Sequence, residues 1–148
     1  MIFEEGHSLV NTFTYDQIEI GHKESFKVKV TQADMDKFRE ITGDVNPLHK
    51  DPEYAGALGH PGCVVFGMLT ASYLSTLAGV YLPGQHSLIH SVKTKFSGAV
   101  YVDDELTIEG TVTEKNDTFE LIIIKAVIKN QEGKKVCKAE MQVGIGKI

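Results

Sequence analysis

The sequence predicts an α+β protein in which a curled antiparallel sheet wraps around one long central helix. Two observations carry this expectation. Residues 63–82, CVVFGMLTASYLSTLAGVYL, are apolar nearly throughout, as in a helix buried on all sides. Around them lie about five stretches of strand length that alternate or run apolar between turn residues. One buried helix and a set of long strands hide their apolar faces best when the sheet curls over the helix.

Taken in order, SFKVKV alternates, with Phe26, Val28 and Val30 on one face and Lys27 and Lys29 on the other, the pattern of a half-buried strand. Thr31 stands three residues before Asp34, the spacing of a capping box, and the carboxylate favours a first helical turn. A helix over 33–42 places Met35, Phe38 and Ile41 on one side, and Gly43 is its expected stop. A short irregular stretch follows, then the apolar segment.

That segment approaches the length of a membrane span. Thr70, Ser72, Tyr73, Ser75 and Thr76 interrupt it, and residues 55–92 contain no Lys or Arg to anchor it. A core helix is the expectation. Gly67, Ala71, Ser75 and Gly79 recur every fourth residue, a small-residue stripe expected to let the sheet approach the helix backbone. Downstream, SLIHSVKTKF places Leu88, His90, Val92 and Phe96 on one face, and LTIEGTV does so with Leu106, Ile108 and Val112. FELIIIKAVI is apolar on both faces, as a central strand is. KVCKAEMQVGI alternates with Cys137, Ala139, Met141, Val143 and Ile145 inward. Turns are expected at Asp103-Asp104, Asn116-Asp117 and Glu132-Gly133.

A chain of 148 residues with 42% hydrophobic and 24% charged residues fits a single domain over 1–148 with a real core. Its net charge of −5 argues against nucleic acid or an anionic membrane as partner. Cys63 and Cys137 make no disulfide framework, which points to a reduced, cytoplasmic setting. The N-terminal MIFEEGHSLVNTF carries acids where a signal peptide carries bases, so no targeting segment is expected there.

Few clusters suggest chemistry. His86 and His90 fall on a strand, where four residues span roughly 13 Å, too far for one metal ion. DVNPLH fails as a calcium loop, having Leu48 at its fifth position and no Gly at the sixth. Cys63 is most simply a packing residue and His60 a loop residue. Asp44 and His49 differ. A helix would turn them apart and an extended chain would separate them by roughly 16 to 18 Å. Pro47 blocks the helix, so GDVNPLH must be a bent loop able to aim both side chains into one cleft. Taken alone, Gly-Asp after a helix is more often a cap and turn than a site.

The longer string FREITGDVNPLHKDPEYA, Phe38 to Ala55, resembles the signature of the MaoC-like family, the (R)-specific enoyl-CoA hydratases. That signature has an aromatic, two residues, an aliphatic and a small residue. Gly-Asp-x-Asn-Pro-aliphatic-His follows, then five residues and a small residue, and every position is met. Five fixed residues at about 5% frequency each give a chance match on the order of 10⁻⁷ per starting position. The resemblance runs from about Tyr15 to Gly144 and includes GML at Gly67 to Leu69.

The resemblance implies a hotdog fold, a homodimer or dimer of dimers with sites at the subunit boundary, and an acyl-CoA or acyl-carrier-protein thioester as substrate. It implies Asp44 and His49 as the catalytic acid/base pair and the Gly67 N–H as oxyanion donor. Asn46 would orient the water or the loop, and Ser75 would hydrogen-bond Asp44. The chemistry needs no metal or redox cofactor. Adding water across C2=C3 takes a base for the water and an acid for C2, and a fixed N–H meets the charge that develops on the thioester oxygen. Three features depart from the family. Phe66 stands where many relatives carry His or another polar group. Ala99 and Asp103 stand where relatives have Pro and Gly. No basic cluster for the CoA phosphates stands out, which leaves Lys93 and Lys95 as candidates. Two rivals remain. A hotdog thioesterase needs a carboxylate near the central helix, and residues 55–92 hold no Asp or Glu. A non-catalytic acyl-thioester binding module would tolerate loss of Asp44 or His49, and both are present.

Overall fold

The computed structural model describes residues 10–147; most of the N-terminal stretch read above for targeting signals lies outside them. Five strands form one sheet, β1 (Lys23–Lys29), β2 (Ser87–Phe96), β3 (Glu105–Asn116), β4 (Leu121–Lys129) and β5 (Lys135–Ile145). Their order is β1-β3-β4-β5-β2, and every neighbouring pair is antiparallel. Three helices lie in the β1–β2 connection: α1 (Gln32–Thr42), α2 (Pro52–Ala57) and α3 (Gly67–Thr76), the last continued by a wide π turn, Leu77–Tyr81.

Alternation decides the inner face. Leu106, Ile108 and Val112 of β3, Ile122, Ile124, Ala126 and Ile128 of β4, and Cys137, Met141 and Val143 of β5 are buried against Tyr73, Leu74, Leu77 and Ala78 of the helix. Each such aliphatic side chain contributes roughly 1.5–3 kcal/mol on full burial. β4, apolar on both faces, is the middle strand of the five, as its sequence predicts. A close joint lies between β3 and the π turn. A Cβ built on Gly110 would stand 2.7 Å from Leu77 Cδ2 and 3.0 Å from Ile124 Cγ2, so any larger residue would force the Leu77 side chain to move.

The caps read from the sequence are present. Thr31 Oγ1 accepts the Asp34 N–H at 3.2 Å, and the Asp34 carboxylate accepts the Thr31 N–H at 2.9 Å. Gly43 ends α1 at φ 72°, its N–H on the Arg39 carbonyl. The Asp103, Asn116-Asp117 and Gly133 turns also form, with Asp103 and Gly133 at positive φ.

Five expectations need correction. The central helix begins at Gly67, not near Cys63: residues 63–66 run extended, with Val64 bridged to Tyr101. Val64 and Val65 are β-branched and favour that conformation, so one apolar run serves two structures. The irregular stretch contains α2, capped by Asp51, whose Oδ1 accepts the Glu53 and Tyr54 N–H groups. Ile41 is 82% exposed, since α1 stops one residue later and its last turn extends past the core. The face read for β2 is split by a register shift between Ile89 and Ser91. Ile89, Val92 and Phe96 share the inner side, opposite Val143, Met141 and Cys137, and Leu88 turns outward opposite Gly144. The small-residue stripe faces the edge strand, not the sheet centre: Gly67 meets Phe96 and Gly79 meets Ser87, and Ser75 is exposed.

Candidate active site

Where α1 ends, the chain makes two successive side-chain-to-backbone turns. Asp44 Oδ1 accepts the Asn46 N–H at 3.1 Å, and Asn46 Oδ1 accepts the Leu48 N–H at 3.0 Å. Asp and Asn favour such turns because the carboxylate or amide oxygen reaches the backbone two residues on. Pro47 then opens a single 3₁₀ turn, Pro47–His49, as its fixed φ allows. Asp44 and Asn46 are exposed and His49 is half-buried.

His49 is the anchored member. Its Nδ1 lies 2.7 Å from the Val64 carbonyl. A carbonyl only accepts, so Nδ1 carries the hydrogen, and in the neutral ring Nε2 keeps its lone pair. The imidazole lies 4.3 Å from the Phe66 ring, which packs 5.0 Å from Phe38. Val64 is held in turn: its N–H donates to the Leu48 carbonyl at 3.1 Å, and the next N–H, of Val65, donates to Val100 at 2.8 Å. Phe66, the departure from the family pattern, is 1% exposed and supplies an apolar plate where a polar side chain would have supplied a hydrogen bond.

Gly67 follows directly as the first residue of α3. Phe66 at the cap position has no side-chain oxygen to offer, and the Gly67 N–H has no hydrogen-bond partner among the described residues. An open N–H at a helix start suits a developing negative charge. The Phe96 ring covers the glycine: its Cε1 would lie 3.4 Å from a Cβ at 67. The contact with Phe66 therefore links His49 to the residue that precedes Gly67.

Not every expected partner converges. Among the described residues no hydrogen bond joins Asp44 to His49 or to Ser75, which is exposed on α3. Lys93 and Lys95 lie on the outer side of β2, opposite Glu140 and Lys138 of β5. With Lys125 and Lys138 they line an open groove of about 290 Å³ on that face. His60 is more than a loop residue, with Nδ1 2.9 Å from the Tyr101 hydroxyl. Arg39 was not legible as a site neighbour. Its guanidinium reaches the His49 carbonyl at 3.4 Å, and nothing in an ordinary helical arginine signals this. Among the described residues no group of His, Cys, Asp and Glu could hold a metal ion, and no helix is long and apolar enough to cross a membrane.

A helix enclosed by a curled five-stranded antiparallel sheet, with a Gly-Asp-x-Asn-Pro-x-His loop beside the helix start, defines a hotdog protein of the hydratase and dehydratase class. The family model described as MaoC like domain matches residues 16–134, and the chain belongs to that family. It is 33% identical over 116 residues to the (R)-specific enoyl-CoA hydratase of Aeromonas caviae, covering 78% of this chain and 87% of that protein. It is also 29% identical to the 3-hydroxybutyryl-CoA dehydratase of Methylorubrum extorquens, covering 68% of this chain and 64% of that protein. The unliganded R-hydratase PhaJ1 from Pseudomonas aeruginosa superimposes with a TM-score of 0.88 at 26% identity, covering 94% of this chain and 89% of that one.

Proposed function

We propose that this chain, as a single hotdog domain, hydrates trans-2-enoyl thioesters to (R)-3-hydroxyacyl thioesters, or runs the reverse dehydration, with acyl-CoA as substrate. The observation that carries the reading is the contact of His49 Nδ1 with the Val64 carbonyl. With Nδ1–H engaged by Val64, Nε2 is the nitrogen left for acid/base work, on a ring in contact with the residue that precedes the Gly67 N–H.

In the forward direction one water supplies both new bonds. Its oxygen bonds to C3 while Asp44 and His49 take its proton, and a proton from the pair is delivered to C2 on the same face. The electron pair of the C2=C3 bond moves toward the thioester, and charge grows on the carbonyl oxygen. The Gly67 N–H meets it there, reinforced by the helix start. Asn46 holds the loop through the Leu48 N–H, which supports its role as an orienting residue. What supports Ser75 is the motif match.

The proposed setting is the cytoplasm and the proposed assembly a homodimer. β2 is an edge strand whose inner side leaves Val92 44% and Phe96 50% exposed, an apolar rim beside Gly67 that a second sheet would cover. Sedimentation at micromolar concentration should give a dimer; a stable monomer would remove this part of the reading. The activity itself is tested with crotonyl-CoA and longer trans-2-enoyl-CoAs. Loss of the enoyl absorbance with formation of 3-hydroxyacyl-CoA is the expected result, and no turnover on any chain length would overturn it.

A further inference from the structure

We propose that Arg39 is a positioning residue for His49, fixing the backbone that carries the imidazole; this rests on the reading of His49 as an acid/base group. Arg39 sits in the last turn of α1 with its side chain only 19% exposed. One arm of its guanidinium, Nη1, meets Asp36 Oδ1 at 3.2 Å, and the other, Nη2, donates to the His49 carbonyl at 3.4 Å. The rigid fork lets one side chain hold acceptors on two segments at once, which a lysine does less well.

Two features argue that this is more than a helix-surface ion pair. An i, i+3 pair contributes little when exposed and does not require a buried guanidinium. Here Nε is buried with no hydrogen-bond partner, a cost that the outward arms of the fork must offset. The second feature is where the loop lacks support. Residues 43–47 are exposed, and the bonds made by the Asp44 and Asn46 side chains are local to the loop. They shape the loop without fixing it to the body of the protein. His49 has three outside anchors: Nδ1 on Val64, the ring on Phe66, and the carbonyl on Arg39. The first two come from the segment before α3; the third reaches back to α1. The Val64 N–H also holds the Leu48 carbonyl on the near side of His49. Removing the Arg39 bond therefore frees the His49 carbonyl side of the main chain while the ring keeps its other contacts, which tilts Nε2 away from the water it must activate. Displacements of about 1 Å cost up to 10²-fold in rate.

The test uses the full chain with crotonyl-CoA. Arg39→Met should lower kcat about tenfold with KM little changed, and Arg39→Lys should recover part of that loss. The melting temperatures of both should stay near that of the parent. The deciding comparison is the His49→Gln background, where adding Arg39→Met should cost no further turnover, because positioning a missing imidazole has no value. Unchanged kcat in Arg39→Met would overturn the proposal. So would an equal fold-loss in the His49→Gln background, or a loss that tracks the folded fraction, since both mark a merely structural role. If Arg39→Met does not fold, Arg39→Lys is judged by the same criteria. A His49→Gln protein with parental turnover would instead remove the acid/base reading itself, an outcome visible before Arg39 is touched.

Discussion

The Nδ1 of His49 stands 2.7 Å from the Val64 carbonyl, so Nδ1 carries a ring hydrogen and Nε2 lies outside that contact. Asp44 shares its loop, and its carboxylate accepts the Asn46 N–H there. Asp44→Asn keeps that turn and removes the base, and His49→Gln removes the titrating ring. Each should lower turnover by roughly 10²-fold or more, the scale of general acid–base catalysis. The double variant should be far less than multiplicatively worse. Both should melt near the parental temperature, because neither side chain belongs to the core. Variants that melt early yet keep normal turnover per folded molecule would reduce GDVNPLH to a helix exit.

Hydration and hydrolysis are separated by what is released. Enoyl-CoA should lose its double bond without freeing thiol, since no carboxylate side chain lies between residues 55 and 92. A thiol-reactive dye rising in step with substrate loss would favour a thioesterase. The product should have the (R) configuration, so coupling to an (S)-specific 3-hydroxyacyl-CoA dehydrogenase should give no signal.

Gly110→Ala tests the joint between β3 and the helix. The added methyl would stand 2.7 Å from Leu77 Cδ2, and overpacking of this kind typically costs about 1–3 kcal/mol. Chemical denaturation should show that loss, and Leu77→Ala in the same chain should recover less than it costs, because it opens a cavity elsewhere. A Gly110→Ala protein as stable as the parent would mean that the helix can move away.

Alkaline pH offers a second probe of the core. Burial pushes the Tyr73 phenol up to about 12, and the Asp34 charge adds to it. Unfolded, the phenol ionises near its ordinary value of about 10. Between those values the unfolded state loses a proton that the folded state keeps, so stability falls as pH rises. The slope from one such tyrosine reaches at most about 1.4 kcal/mol per pH unit. Tyr73→Phe should flatten the decline in this window and leave neutral pH nearly unchanged; an identical slope would show that other groups set it.

Local signals in the sequence were legible wherever one residue type has one structural use. Thr31 and Asp34 cap α1, Gly43 ends it with a positive φ, and the alternating residues of β3 and β5 face inward. The Asp-x-Asn-Pro loop was readable for the same reason. Reading failed where one pattern serves two structures. Val64 and Val65 are as apolar as the helix they precede, yet they form the clip that holds His49. The shift after Ile89 breaks a period of two that no side chain announces. The two contacts that fix His49 most directly involve main-chain carbonyls, of Val64 and of His49 itself, and a carbonyl is present at every residue. Side-chain patterns alone give it no signature.

The packing around the central helix has a consequence for redesign. On the β3 side the clearance at Gly110 is used up, and variation there is spent on lost stability. On the β2 side Phe96 is half-exposed and its ring lies over Gly67, so it can be exchanged or trimmed with little strain. A library aimed at new acyl groups should vary Phe96, with the oligomeric state checked because the proposed partner sheet covers this rim, and leave Leu77 and Gly110 constant. The wall that is easiest to rebuild is also the one beside the Gly67 N–H, proposed as the oxyanion donor, so each gain in substrate range has to be screened for turnover as well as for binding.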